Sequence, residues 1–142
     1  MSMSKETIEK MIDQIGVSII SSIDESGFPN TKAMLPHRKR EGVSVFYFTT
    51  NTSSMRVKQY HSNNKACIYF FDKKYFRGIM IIGIMEVLTD QKTKDMIWQD
   101  GDTMYYPLGV TDPDYCVLKF SAKKLRIYQN FKSENIYIEC VK

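Results

Sequence analysis

Cysteine and histidine are scarce in this chain. Three Cys (67, 116 and 140) and two His (37 and 61) are spread over 142 residues, and no CxxC pair occurs. An odd number of widely spaced thiols yields neither a disulfide framework nor a zinc-ligand spacing, so the expectation is no metal and a reducing, cytoplasmic setting. Long hydrophobic runs are missing too. The longest, Ile79 to Leu88, covers about half of the roughly 20 residues that a membrane-spanning helix needs. It reads as a buried strand. The start, Met1-Ser2-Met3-Ser4-Lys5-Glu6, lacks the apolar core of a secretory signal, and no membrane association is expected. Nor does one sign of charge dominate, because 20 basic against 16 acidic residues leave only +4. Such an excess suits surface lysines or a phosphate-bearing ligand and argues against nucleic acid as the main partner. No Ser-His-Asp triad, paired carboxylates or metal-ligand cluster stands out. Any enzymatic reading is thereby narrowed to one in which a bound cofactor carries the chemistry.

What is present is a globular balance, with 43% hydrophobic and 25% charged residues and a length suited to one domain spanning 1–142. Nine Tyr and eight Phe favour strands and half-wet pockets, since each tyrosine ring packs while its hydroxyl seeks a polar partner. Ser4 caps a first helix in which Ile8, Met11, Ile12 and Ile15 form one stripe, stopped by Gly16. The period then changes to alternation. Val17–Ile23 and Phe28–Pro36 form a hairpin around Asp24-Glu25-Ser26-Gly27. Arg40-Glu41-Gly42 turns into a strand over Val43–Thr49, with Val43, Val45 and Tyr47 on one face and Phe46 and Phe48 on the other.

A short helix over Met55–Tyr60 follows the Thr52-Ser53-Ser54 caps, then strands over Lys65–Phe71 and Gly78–Leu88, and a helix from Thr89 or Asp90 through Trp98. An irregular stretch fills 100–114. Tyr115–Phe120 and Leu125–Asn130 are expected as two strands around a Ser121-Ala122-Lys123-Lys124 turn, with a further strand possible over Ile136–Val141. Six or seven strands joined by tight turns imply antiparallel pairing in a mainly β barrel with a few short helices. A barrel this small has little interior for a large ligand. Such a ligand would lie in an outer groove, and strands apolar on both faces suggest that a second subunit covers them.

Three stretches could carry chemistry. Phe48-Thr49-Thr50-Asn51-Thr52-Ser53-Ser54-Met55-Arg56 brings an apolar strand, hydroxyls, a helix start and a cation together, which is how a phosphate is held. The same residues would serve equally as an ordinary helix cap. Gly27 to Leu35 places Lys32 beside Ala33, Met34 and Leu35, where a second cation and backbone groups could meet a flat ring; an edge lysine that deters aggregation is the plainer reading. Trp98 to Tyr115, with Tyr105, Tyr106, Pro107 and Gly109, forms a stiff loop that could wall a planar ligand or plug the barrel end.

Gly27-x-Pro29-x-x-Lys32-x-Met34, Phe48 to Arg56, Gly83 with Glu86-Val87 before Asp90, and Tyr105 to Tyr115 occur in the order seen in the FMN-binding split-barrel family related to pyridoxamine 5′-phosphate oxidase. The chain resembles its general stress protein 26-like branch over residues 5–131. The resemblance implies a six-stranded antiparallel split barrel, a homodimer, and FMN at the interface exchanging hydride or electrons with a small-molecule donor or acceptor. Lys32, Ser53, Ser54 and Arg56 would then bind phosphate and ribityl, and Ala33, Met34, Leu35, Phe48, Thr49 and Thr50 would face the isoalloxazine. Trp98 and the 105–109 loop would come from the partner subunit. The Arg/His substrate motif of the namesake oxidases has no counterpart near Asn130 to Lys142, so pyridoxamine 5′-phosphate is not the expected substrate. A non-enzymatic flavin sensor or carrier, a nucleic-acid-binding barrel using Arg38, Lys39 and Arg40, and haem or a deazaflavin in the same groove are the rival readings.

Overall fold

A computed structural model describes residues 3–141. Met1, Ser2 and Lys142, and the side chain of Cys140, lie outside the described residues, so the ends of the single-domain reading and that third thiol are not addressed by it. The chain runs α1 (Lys5–Ile15), β1 (Ser18–Ile23), β2 (Pro29–Met34), β3 (Lys39–Glu41), β4 (Val45–Asn51), α2 (Met55–Ser62), β5 (Lys65–Asp72), β6 (Arg77–Leu88), α3 (Gln91–Ile97), β7 (Tyr115–Gln129) and β8 (Lys132–Tyr137). The mainly β architecture with three short helices is the one expected, and it is consistent with a split barrel. All ladders are antiparallel, in the order β2-β1-β5-β6-β7-β4-β3, with β8 added to β7.

Each helix begins where a side chain can accept a free backbone N–H. Ser4, Ser54 and Asp90 cap α1, α2 and α3, accepting from Thr7, Val57 and Thr93 respectively. Ile8, Met11 and Ile12 of the α1 stripe are buried in the main core with Phe46, Phe48, Ile68, Phe70, Ile81 and Leu118. Arg40 ties the same helix to β3, donating to Asp13 at 2.7 and 2.9 Å and to Glu9 at 3.0 Å.

Three expectations change. The 121–124 turn does not exist: β7 is one strand of 15 residues. The polar Ser-Ala-Lys-Lys stretch stays in the ladder because a bulge between Ile82 and Gly83 absorbs the break in alternation. At Gly83 a Cβ would stand 2.1 Å from the Ser121 carbonyl oxygen and 2.8 Å from the Phe120 ring, so the bulge has room only for glycine. Second, the last strand is β8, and 138–140 form a single 3-10 turn. That brings the strands among the described residues to eight.

Third, β4 begins at Val45, because Gly42 to Ser44 is still turn. Val43 therefore joins Phe46 and Phe48 in the main core rather than sharing a face with Val45 and Tyr47. The face bearing Val45 and Tyr47 is covered by Ile97, Trp98, Tyr106, Tyr115 and Val117 of the same chain. A second subunit is not needed to bury it.

Gly83→Val should cost about 1–3 kcal/mol, the usual range for forcing atoms into a packed site. Equilibrium urea denaturation reads this as a lower midpoint, and an unchanged midpoint would contradict the close approach at the bulge.

Candidate functional site

β2 lies at one end of the sheet path and pairs only with β1. On the other side of the split, β3 reaches only Val45–Tyr47 of β4, while β7 pairs with Val45–Asn51 along the opposite edge. Residues 32–34 and 48–51 thus each present an edge with no strand partner, and both line one groove of about 260 Å³. Backbone N–H and C=O groups on such edges need partners.

Lys32, Ala33, Met34 and Leu35 form one wall of this groove, Phe48, Thr49 and Thr50 another, and Arg56, Tyr105 and Tyr106 complete it. Ten of the predicted site residues therefore meet. Exposed Leu35 gives the groove apolar surface, the Phe48 side chain is packed in the main core behind it, and Lys32 and Arg56 put two cations at it. The Arg56 guanidinium donates from Nη2 to Thr50 Oγ1 at 3.2 Å. Its Nε is buried with no hydrogen-bond partner. A buried, unpartnered guanidinium N–H beside a lysine calls for an anion.

Five predicted residues do not line the groove. Ser54 is spent as the α2 cap, at 3.4 Å from Val57 N. The Ser53 N–H is taken by Asp114 at 2.9 Å, and Asn51 donates to the same carboxylate at 2.8 Å. The Ser53 N–H and the Asn51 amide hold the Asp114 carboxyl below its ordinary range, so this turn already contains its own anion. Trp98 sits behind the groove wall, with its ring 5.2 Å from Tyr115 and 6.2 Å from Tyr106. Pro107 and Gly109 belong to a turn pinned by Asp112, which accepts from Leu108 N at 3.1 Å. The 105–106 segment reaches the groove of its own chain, contrary to the expectation that a partner supplies it.

Pro36, Arg38 and Asn51 also line the groove and were not anticipated. Pro36 extends the first predicted stretch, and Asn51 lies inside the second. Arg38 carried no such signal, because it reads as part of a basic run. Its role depends on a bidentate pair with Asp102, at 2.7 and 2.8 Å, that clamps the 99–106 loop against the β2–β3 connection. Burial pushes the Asp102 carboxyl up, but the bonds from Arg38 and from the Gln99 N–H outweigh it and hold it below its usual range. Tyr106 shares a hydrogen bond with Thr49, and burial raises its phenol above the ordinary value. Lys94, buried beneath the loop, donates to the Asp112 carbonyl at 3.0 Å and lies 5.2 Å from the Tyr115 ring centroid. Of the histidines, His61 is exposed on α2 and His37 stands edge-on to Phe46 at 5.3 Å. Neither lines the groove.

The sequence pattern of the family described as pyridoxamine 5′-phosphate oxidase like matches residues 3–142. The chain belongs to this family. Among solved structures it is similar to a Clostridium acetobutylicum protein related to general stress protein 26 of the pyridoxinephosphate oxidase family. They share 36% identity and a TM-score of 0.88, over 97% of this chain and 96% of that one. General stress protein 26 from Bacillus anthracis has the same fold at 19% identity and TM-score 0.75, over 94% and 98% of the two chains. So does a Nostoc punctiforme pyridoxamine 5′-phosphate oxidase-related, FMN-binding protein, at 12% identity and TM-score 0.72, over 97% and 99%. No curated protein matches the chain. Among the described residues no helix is long and apolar enough to cross a membrane.

In this member of the family, burial holds the His37 imidazole below its ordinary pKa, against a smaller opposing effect of Asp13. Its Nδ1 is buried without a partner. The unfolded chain therefore takes up the proton first, so the stability His37 contributes is complete above about pH 6.5 and is lost as pH falls toward its folded pKa. Denaturation midpoints should drop between about pH 7 and pH 5, above the carboxylate range, and His37→Leu should flatten that slope. An equal slope in the variant would remove His37 as the cause.

Proposed function

We propose that this protein is a flavoprotein holding FMN in the groove between the open edges of β2 and β4, and that it serves as an oxidoreductase. The carrying observation is that Arg56, whose Nε is buried without a partner, lines the groove together with Lys32. Those two cations would hold the phosphate, and Thr49 and Thr50 lie on the same β4 wall. The free strand edges at 32–34 and 48–51 suit the polar rim of a flat heteroaromatic ring, while exposed Leu35 supplies apolar contact. Bound there, the isoalloxazine supplies reversible hydride or electron transfer. The chain's own part is to bind, orient and shield. Arg38 and Asp102 keep Tyr105 and Tyr106 in place as one wall, and burial keeps Tyr106 a neutral phenol. The substrate is a small-molecule donor or acceptor, pyridoxamine 5′-phosphate is not expected, and the compartment is read as the cytoplasm.

A homodimer is part of this reading, through the outward face of β5 and β6 and not through β4. On the outward face of β5 and β6, Tyr69 is cross-strand partner to Met80 and Cys67 to Ile82, with Ile84 next in line. Met80, Ile82 and Ile84 remain half-exposed. A contiguous apolar row of this kind suits a second copy. The rival basic patch is less free than it looks in sequence, because Arg38 and Arg40 are engaged by Asp102, Asp13 and Glu9.

Fresh protein should be yellow, and Arg56→Ala should weaken FMN about ten- to a hundredfold while sparing riboflavin, since it removes charge-assisted bonds to the phosphate alone. Titration followed by flavin fluorescence checks this; equal losses for both ligands would remove Arg56 from the phosphate site. Sedimentation should give a dimer, and Ile82→Asp a monomer. A wild-type monomer at micromolar concentration would end the dimer reading.

A further inference from the structure

Among the described residues, three non-glycine residues hold a positive φ: Phe76 at 49°, Asn130 at 51° and Phe131 at 64°. A bulky side chain rarely adopts that conformation, and such strain tends to gather where a protein makes functional contacts. All three lie at one end of the sheet. Phe76 is in the turn between β5 and β6, while Asn130 and Phe131 are the two central residues between Gln129 and Lys132 of the β7–β8 hairpin. Positive φ at both central residues defines a turn that favours Asn followed by Gly. Here phenylalanine stands where glycine is favoured.

Folding buries little of these rings. Phe131 is 95% exposed, and Tyr75 and Phe76 are exposed as well. The Gly78–Tyr128 pair of the β6–β7 ladder sets the two turns side by side. Phe76 stands edge-on to Phe71 at 5.2 Å and to Tyr128 at 6.3 Å. Tyr75, Phe76, Tyr128 and Phe131 border one cavity of about 150 Å³. The result is an aromatic cluster at the tips of two neighbouring hairpins.

The charge around the cluster has one dominant sign. Lys73 and Lys74 lie in the first turn, and Arg77 and Lys132 begin the strands that leave the two turns. Against them stands Asp72, already bound by Arg77 at 2.7 Å, while Glu134 is half-buried further along β8. Lys74 and Arg77 also lie over the Tyr75 ring, 5.2 and 5.0 Å from its centroid. A symmetric contact between two copies would set this patch against itself, cation facing cation. A folded acidic partner would need a hollow shaped to two turn tips, whereas a fluid headgroup layer takes them as they are. Aromatic rings ringed by lysines fit a surface that is anionic outside and apolar beneath.

We infer that these paired turns are a peripheral contact for an anionic phospholipid membrane. Phe131, Phe76 and Tyr75 would enter the headgroup layer, with the surrounding lysines on lipid phosphates. No span is involved, and neither turn signals a membrane by itself. Only the ladder between β6 and β7 brings them together.

The test sediments the full-length protein with vesicles of phosphatidylcholine alone or mixed equally with phosphatidylglycerol, at low and high salt. The protein is expected to partition onto the anionic vesicles about tenfold or more strongly than onto the neutral ones, and to come off as salt rises. Lys73→Ala combined with Lys74→Ala should weaken that partition about tenfold. Phe131→Gly should weaken it by about the same factor. Because Phe131→Gly supplies the residue its turn favours, it should do so without lowering the denaturation midpoint, which loss of a packed ring would lower. Failure to sediment with anionic vesicles, equal partition onto both lipids, or unchanged partition of either variant would overturn the inference. Conversion of a dimer to a monomer by either variant would assign the tips to a contact between copies and overturn it as well. Flavin binding enters none of these outcomes.

Discussion

Everything at the candidate site depends on where the sheet stops pairing. β6 and β7 run together along most of their length, while β4 takes one half of β7 and β8 takes the other. Between those halves β7 carries one extra residue, Lys123, opposite Ile82 and Gly83 of β6, and a bulge of this kind bends its strand. At the far ends of the path, β2 lacks an outer neighbour and β3 is too short to cover the end of β4. Two lengths of unsatisfied backbone edge therefore line one groove. In most sheets such edges are a liability that is capped or charged. Under the function proposed above they are the recognition surface, and a planar ligand with polar edges is their complement.

The groove is also held in shape by its own chain. Asp102 receives both Arg38 nitrogens and the Gln99 N–H. Tyr106 stacks at 4.7 Å on Tyr115, whose hydroxyl donates to the Lys94 carbonyl at 2.8 Å. The Asp102 carboxylate and the Tyr115 hydroxyl are thus held within the chain, so the aromatic wall is set before a ligand arrives. Preorganisation of this kind lowers the ordering cost of binding. It also shows why a face apolar on both sides of β4 says little about oligomers: a strand can be covered by a loop further along the same chain.

Much of the fold was legible because burial imposes its period directly on sequence. The α1 stripe, the Asp24–Gly27 turn, a cap within Thr52–Ser54, another at Thr89 or Asp90, and the alternation in β5 all follow from rules acting over fewer than about eight residues. The structure departs from the expectation where another element, distant or adjacent, overrode the pattern. Ser121 to Lys124 looks like a turn, yet the ladder with β6 holds it extended. Val43 seems to continue the alternation of β4, yet the glycine turn resets it. Ser53 and Ser54 look like phosphate ligands, but the first is claimed by Asp114, some sixty residues away, and the second by its own helix.

The sequence alone determined the mainly β class, the helix caps, and the two stretches, 32–35 and 48–56, from which most of the groove is built. These are properties of neighbouring residues, and neighbours in sequence remain neighbours in space. Only the tertiary structure decided that those stretches meet across open edges, that Arg38 belongs beside them, and that the 105–106 wall comes from the same chain. Strand order and the partner of a buried charge are settled by the packing of the whole sheet, and no window of sequence contains that information.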